Sequence, residues 1–283
     1  MPYDAEALSI AQRSFQEDFI QARITRNITG FFRPAARPCR RAVCANVVVM
    51  ADFSSFPPNG VAVVIGGGGV GAALAEALLA ESAFADVITL SRNSAPKLDL
   101  LSEPSIEAAA KFLAGADIRL VLVATGFLHG GGLMPERSLR DVSAEYLAKS
   151  FAINATGPAM VLKHFLPLLP RVGKTVVAAL SARVGSIGDN QIGGWYAYRA
   201  AKAALNQLVR TAAVELRRSR PEAICVALHP GTVATPLSAP FAKSGLDVRA
   251  PEAAAADLLS VMTRLTPVES GGFFDQNGEA IPW

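Results

Sequence analysis

The sequence predicts an α/β protein built on one doubly wound parallel sheet with helices on both faces. Two patterns point to it. Short β-branched or apolar runs occur at VAVVI (61–65), DVITL (86–90), RLVLVA (119–124), KTVVAAL (174–180), ICVALH (224–229) and GGFF (271–274), and helix-forming segments lie between them. A third observation is a glycine-rich turn, GGGGVG (66–71), set between the first strand and the first helix. Strands that alternate with helices form a parallel sheet covered on both sides.

Taken in order, Val61–Ile65 is a buried strand, and AALAEALLAE after the glycine turn is rich in good helix formers. DVITL is the second strand, KLDLL (97–101) a third short one, and a helix runs from Pro104 to Leu113. After the strand at 119–124, a long helical region spans Ser143 to Leu169 and is interrupted near Gly157-Pro158. Trp195–Arg218 is a helix with Leu205, Leu208, Ala212 and Leu216 along one stripe, and residues 251–264 form the last helix. No internal repeat divides this region, so residues 60–283 are read as one catalytic-size domain.

Residues 1–59 differ in composition. Arg26, Arg33, Arg37, Arg40 and Arg41 are not balanced by any acid between positions 26 and 48. Asp4, Glu6, Glu17 and Asp18 argue against a transit peptide, and no apolar core follows a basic start as in a secretory signal. This stretch is read either as a loosely attached or disordered extension, or as sequence upstream of a true start at Met50.

The 283 residues carry a net charge of only +3, which gives no electrostatic footprint for nucleic acid. No apolar run is long enough to span a bilayer. Cys39, Cys44 and Cys225 form no metal-ligand or CxxC spacing, so no metal site is expected, and their odd, sparse number fits a reduced cytoplasmic protein.

Gly66, Gly68 and Gly71 satisfy G-x-G-x-x-G in the strand–turn–helix setting that a dinucleotide-binding (Rossmann) turn requires. Glycines allow a tight turn and close backbone approach to a diphosphate, and the helix start offers free N–H groups to it. Gly69 and Val70 complete that turn. The second strand ends in Ser91-Arg92, with no acid to take an adenosine ribose, so NADP(H) is favoured over NAD(H). Asp99, next to Leu100, is either an acceptor for an adenine amino group or an ordinary turn aspartate.

Tyr198 and Lys202 in YRAAK lie at i and i+4 on one helix face. An ammonium beside a phenol favours the phenolate, so Lys202 is expected to pull the Tyr198 pKa below about 10. A phenol tuned toward working pH is a proton donor for a carbonyl.

From Val61 to Trp283 the chain resembles the short-chain dehydrogenases/reductases. The residues that carry the likeness, in order, are the glycine turn, Leu98-Asp99-Leu100, Ala124-Thr125-Gly126, Asn154, the Ser181 region, YRAAK and Pro230-Gly231-Thr232. SARVGSIGDN (181–190), GGWYAYRAAKAALN (193–206), PGTVATPLS (230–238) and FFDQNGEAIPW are similar to the branch that holds Sniffer-like carbonyl reductases and the C-factor signalling protein. The resemblance implies that Tyr198 is the acid/base and that Lys202 lowers its pKa and holds the nicotinamide ribose. It implies that Asn154 positions a relay water and that Ser181, with Ser186 in reserve, bonds the substrate oxygen. It also implies that Ala124, Thr125 and Gly126 let the cofactor pass, that Pro230, Gly231, Thr232 and Val233 lie against the carboxamide, and that subunits pair as a homodimer or homotetramer.

Three departures stand out. Either the glycine turn is one residue short, or Ile65 replaces its first glycine. The fourth strand ends Ala-Thr-Gly rather than Asn-Ala-Gly, and Ser181 is followed by Ala182 where the family has a second serine. Two functions follow: an NAD(P)H-dependent oxidoreductase acting on a small carbonyl or alcohol, or an NAD(P)-binding signalling protein with little turnover. The loops at 186–196 and 234–249 are expected to shape the substrate site, the second as a lid. Trp195 and Tyr196 either line that site or pack the helix start, and His129, His164 and His229 are read as surface or helix-end residues.

Overall fold

The computed structural model describes residues 51–241 and 247–283. Among them the strands are β1 (Val61–Ile65), β2 (Asp86–Leu90), β3 (Ile118–Val123), β4 (Thr175–Leu180), β5 (Ala223–Leu228), β6 (Thr232–Val233), β7 (Val248–Arg249) and β8 (Phe273–Phe274). Six of these form one sheet in the order β2-β1-β3-β4-β5-β8, with every neighbouring pair parallel. The helices are α1 (Val70–Glu81), α2 (Glu103–Phe112), α3 (Ala144–Phe151), α4 (Gly157–Phe165), α5 (Tyr196–Ser219) and α6 (Pro251–Arg264).

The period-2 alternation of each strand feeds two cores. Ala62, Val64, Leu120, Leu122, Val176, Ala178, Ile224 and Val226 face Leu74 and Leu78 of α1 and Leu258, Leu259 and Met262 of α6. Val63, Ile65, Val121, Val123, Val177, Ala179 and Cys225 face Ile106 of α2, Val161 and Phe165 of α4, and Leu205 and Val209 of α5. Both sheet faces are therefore dry, which explains why the strands read as continuous apolar runs. Burial of this kind is worth roughly 1.5–3 kcal/mol for each large side chain.

β1 pairs with β2 on one side and with β3 on the other, so the chain changes direction of travel across the sheet between these strands. Such a switch leaves a crevice beyond the carboxyl ends of β1 and β3. KLDLL, expected as a strand, is instead part of a turn that links β2 to α2. Its Leu98 is 3% exposed and packs in the core, while the Leu98 N–H bonds Ser91 O at 2.8 Å, so the segment is spent on closing the loop rather than on a ladder. The long helical region is continuous through Gly157-Pro158. The irregularity lies one step earlier, as a π-helical segment at Ala152–Thr156.

Residues 1–50 of the expected extension lie outside the described residues. Of residues 51–59, Phe56 is buried, and Phe53, Phe56 and Phe84 form an edge-packed cluster with centroids 5.4–5.8 Å apart. The folded body therefore includes Phe53 and Phe56.

Candidate active site

The glycine turn sits at the switch point. Gly66 has φ +116, and a Cβ there would lie 2.7 Å from Ala124 O. Ile65 is a fully buried strand residue paired with Leu90 and Val123, so the turn starts one residue later than a glycine at 65 would allow. Gly69 caps α1 with φ +49, and no side chain bonds the helix start. Gly68 faces open space with nothing within 4 Å of a built Cβ. An uncapped helix start beneath a bare glycine fits a diphosphate. Thr125 Oγ1, just past β3, is buried without a hydrogen-bond partner and is a further polar group at this crevice.

Ser91 follows β2 beside the turn, its Cβ 3.6 Å from a Cβ built on Gly67. Arg92 is exposed next to it. Asp99 is half-buried and its Oδ1 accepts from Leu101 N at 3.1 Å, so its side chain already serves a local turn, and Leu100 packs on the core beside it. Ala124, Thr125 and Gly126 continue from β3 along the crevice, and Pro230, Gly231, Thr232 and Val233 continue from β5 into β6.

Asn154 is fully buried in the π segment. Its Nδ2 donates to Phe127 O (2.8 Å) and Ser150 Oγ (3.2 Å), and its Oδ1 accepts from Phe127 N (2.9 Å). The side chain is thus clamped to the backbone just after Gly126. Pro158, four residues on, has no N–H, so the Asn154 carbonyl has no i+4 donor.

Tyr198 and Lys202 lie on the buried face of α5, at 7% and 2% exposure. Lys202 Nζ donates to Leu180 O at 2.7 Å and sits 5.7 Å from the Tyr198 ring centroid. Burial lowers the Lys202 pKa to about 7. Burial also raises the Tyr198 phenol, with a smaller contribution from Tyr146. The phenol therefore moves opposite to the sequence expectation: desolvation penalises both charged forms, and the ammonium is bonded to a carbonyl instead of the phenol oxygen.

Ser181 Oγ donates to Asn206 Oδ1 at 2.6 Å, and Ser186 Oγ accepts from Asp189 N at 3.0 Å. Asn206 lies eight residues beyond Tyr198 on the same helical face, a spacing visible in the sequence. Ala182, the next residue after Ser181, is extended and partly exposed.

Other residues that complete the site carry no sequence signal. Glu136 is 2% exposed, and its two carboxylate oxygens accept from Ala197 N at 3.2 and 3.3 Å. It caps α5 from 61 residues away, while Trp195 at the N-cap position supplies no capping side chain. After β6 the chain runs back over the turn: Thr235 Cγ2 is 2.9 Å from a Cβ built on Gly69, and Leu237 Cδ2 is 3.8 Å from one on Gly126. The β6–β7 pair and the bond from Ala234 N to Arg249 O (2.8 Å) bring the two ends of this excursion together.

One of the three histidines, His229, differs from the surface or helix-end reading, while His129 is partly exposed. His129 Nε2 lies 3.1 Å from Pro236 O and its ring packs on Phe241, at the rim of the site. His229 follows β5, its Nδ1 buried without a partner. Burial, then the nearby Arg183, lowers its pKa to about 4. The unfolded chain binds this proton first, so stability is full above about pH 6.5 and is lost as pH falls toward 4, by up to about 3 kcal/mol. Urea unfolding across that window is expected to show the fall, and a shallower one in His229→Asn.

No helix among the described residues is long and apolar enough to cross a membrane, and they hold no cluster of metal-ligand type.

Residues 70–263 match a family model described as Enoyl-(Acyl carrier protein) reductase. The C-signal protein of Myxococcus xanthus is 41% identical over 147 residues, covering 52% of this chain and 84% of that one. The 1-hydroxy-2-glutathionyl-2-methyl-3-butene dehydrogenase of Rhodococcus sp. is 34% identical over 188 residues, covering 66% and 79%. Among solved structures, an NADPH-bound carbonyl reductase from chicken fatty liver and the carbonyl reductase Sniffer of D. melanogaster each superimpose with a TM-score of 0.69 at 23% identity, over 80% of this chain and 99% and 100% of theirs. The turn, the Tyr198–Lys202 face and these matches together place the chain in the short-chain dehydrogenase/reductase family, among its NAD(P)-dependent oxidoreductases.

Proposed function

We propose that the protein reduces the carbonyl group of a small molecule with NADPH. The observation that carries this reading is the buried Tyr198–Lys202 pair, its ammonium 5.7 Å from the phenol ring, together with an Asn154 clamped beside Gly126 and an open glycine turn. Gly66, Gly68, Gly69, Val70 and Gly71 would hold the diphosphate, Ser91 and Arg92 the adenosine end, with Asp99 and Leu100 near the adenine. Ala124, Thr125, Gly126 and Pro230 to Val233 would flank the nicotinamide half. When bound, the reduced nicotinamide supplies the hydride. Tyr198 gives its phenolic proton to the carbonyl oxygen, so the product is an alcohol. Lys202, poised near neutral pH, passes a replacement proton from solvent to the phenolate. The Asn154 carbonyl, which Pro158 leaves without an i+4 donor, holds the water that feeds Lys202.

The raised phenol favours the reductive direction, because reduction needs the protonated donor and oxidation needs the phenolate. Ser181 can donate to a substrate oxygen only by releasing Asn206. That restraint, with Ala182 beside it and the likeness to C-signal, supports a second reading: an NAD(P)-binding signalling protein with little turnover. Fluorescence titration with NADPH and NADH, followed by a panel of aldehydes, ketones and quinones, separates the two. Saturable binding without turnover on the whole panel favours the second.

The preference for NADPH rests on Arg92, exposed beside the turn, and on the NADPH-bound state of the chicken carbonyl reductase. Arg92→Glu is expected to weaken NADPH binding roughly 10- to 100-fold, the loss of one charge-assisted contact, with a much smaller change for NADH. Equal losses for both nucleotides would refute the 2′-phosphate role. Pairing into a homodimer or homotetramer is supported by the exposed Leu208 and Val214 of α5.

A further inference from the structure

We infer that Trp195, Phe241 and His129 form an aromatic wall for the part of the substrate that does not react, and that the compound taken is an uncharged ketone or aldehyde with a flat aromatic ring beside its C=O. This rests on the proposed carbonyl reduction and names its substrate class.

The first support is backbone geometry. Gly193, Gly194 and Trp195 have φ of +70, +66 and +51, three left-handed residues in succession. Two are glycines, for which this is easy; the third is a bulky indole, for which it is strained. Strain of this kind persists only where the surroundings hold it, and it concentrates at functional sites. Here the Trp195 N–H is held by Glu136 O at 2.6 Å, while the Glu136 carboxylate caps the helix two residues later. The hold turns the indole edge-on to Tyr198, with centroids 6.2 Å apart at 73°.

The second support is convergence. Phe241, from the segment after β6, meets Trp195 at 5.1 Å and 65°, and His129, from the loop after β3, meets Phe241 at 5.6 Å and 66°. Three separate segments thus form a chain of rings, His129 to Phe241 to Trp195, whose last member meets the proton donor. A further planar ring gains from offset-stacked or edge-to-face contact with such rings. Leu237 adds an apolar side chain near Gly126.

The third is charge. Among the described residues, the ionisable groups beside this wall are engaged elsewhere: Glu136 on Ala197 N, Lys202 on Leu180 O, Arg199 on the Gly193 and Gly194 carbonyls, and Lys149 over the face of Phe127 at 4.8 Å. His129 presents its imidazole to the Pro236 carbonyl. Among the described residues, a keto acid would have to draw Lys149 off Phe127 or Arg199 off these carbonyls to find a counter-ion.

The test compares acetophenone, 2-octanone and phenylglyoxylate as substrates of the full chain, of Trp195→Ala and of Trp195→Phe, with calorimetric binding of acetophenone to each protein in the presence of NADP⁺. The expected result is preference for acetophenone. The ratio of its kcat/KM to that of 2-octanone should fall about 20-fold in Trp195→Ala and stay within about 3-fold in Trp195→Phe, in line with what apolar pocket contacts can discriminate. A wild-type ratio near one, preference for phenylglyoxylate, or an equal loss on both ketones in Trp195→Ala overturns the inference and leaves carbonyl reduction standing. If no ketone is turned over with either nicotinamide, carbonyl reduction falls and calorimetry decides: binding lost in Trp195→Ala upholds the aromatic site, and absence of binding to the wild type overturns it.

Discussion

Tyr198→Phe is expected to lower kcat for carbonyl reduction by roughly 10²- to 10⁴-fold, the range that one positioned proton donor supplies. The variant removes a single oxygen. The ring, 7% exposed and packed edge-on against Trp195, keeps its neighbours, so thermal stability should stay within a few degrees and NADPH binding within a few-fold. Stopped-flow oxidation of NADPH, read beside fluorescence titration, separates chemistry from binding. Turnover at the parental rate would remove Tyr198 from the reaction.

The pH profile of the parent tests the same residue from another side. Burial raises the phenol, so the donor stays protonated through neutral pH, and the reductive rate should fall only as pH climbs past the ordinary tyrosine range. Alcohol oxidation, which needs the phenolate, should instead rise with pH over that interval. A reductive rate that fell near pH 7 would mean that the neutral form of Lys202, and not the phenol, limits the reaction.

What could be read from the sequence divides along physical lines. The six-stranded sheet and the helices around it announce themselves through apolar periodicity, since each element must bury a face against its neighbours. Helix 251–264 was legible to the residue, with Pro251 at its start. KLDLL was misread because a buried leucine in a turn and one in a strand look alike over five residues. The site residues carried by local motifs, Gly66 to Gly71 and Tyr198 with Lys202, were also legible. Glu136 was not, because its purpose, capping Ala197, depends on a contact across 61 residues. Neither was the sign of the Tyr198 shift: i, i+4 spacing reports a neighbouring charge but not the loss of water around both groups. The role of Phe241 was beyond reach for the same reason as Glu136, since only the return of the chain after β6 brings it to Trp195.

Gly68→Ala and Gly71→Ala should fail in different ways, and the difference tests the dinucleotide site without any turnover. A methyl on Gly71 would lie 2.0 Å from Gly66 O and 3.2 Å from Ala124 Cβ. Gly66 cannot retreat freely, because its N–H is held by Leu90 O at 2.9 Å and its φ of +116 already makes the tight turn. The turn must open, at a cost of about 1–3 kcal/mol, and Gly71→Ala should melt several degrees lower with or without nucleotide. Gly68 is the opposite case: nothing lies within 4 Å of the added methyl, and its backbone is outside the left-handed region, so the variant should melt with the parent when nucleotide is absent. NADPH at about a hundred times its dissociation constant should stabilise the parent by about 2.7 kcal/mol, on the order of 5–10 °C. In Gly68→Ala that gain should largely vanish, because the methyl occupies the space where the diphosphate meets the start of α1. If Gly68→Ala kept the full gain, the diphosphate would have to lie elsewhere, and with it the nicotinamide that Tyr198 is placed to serve.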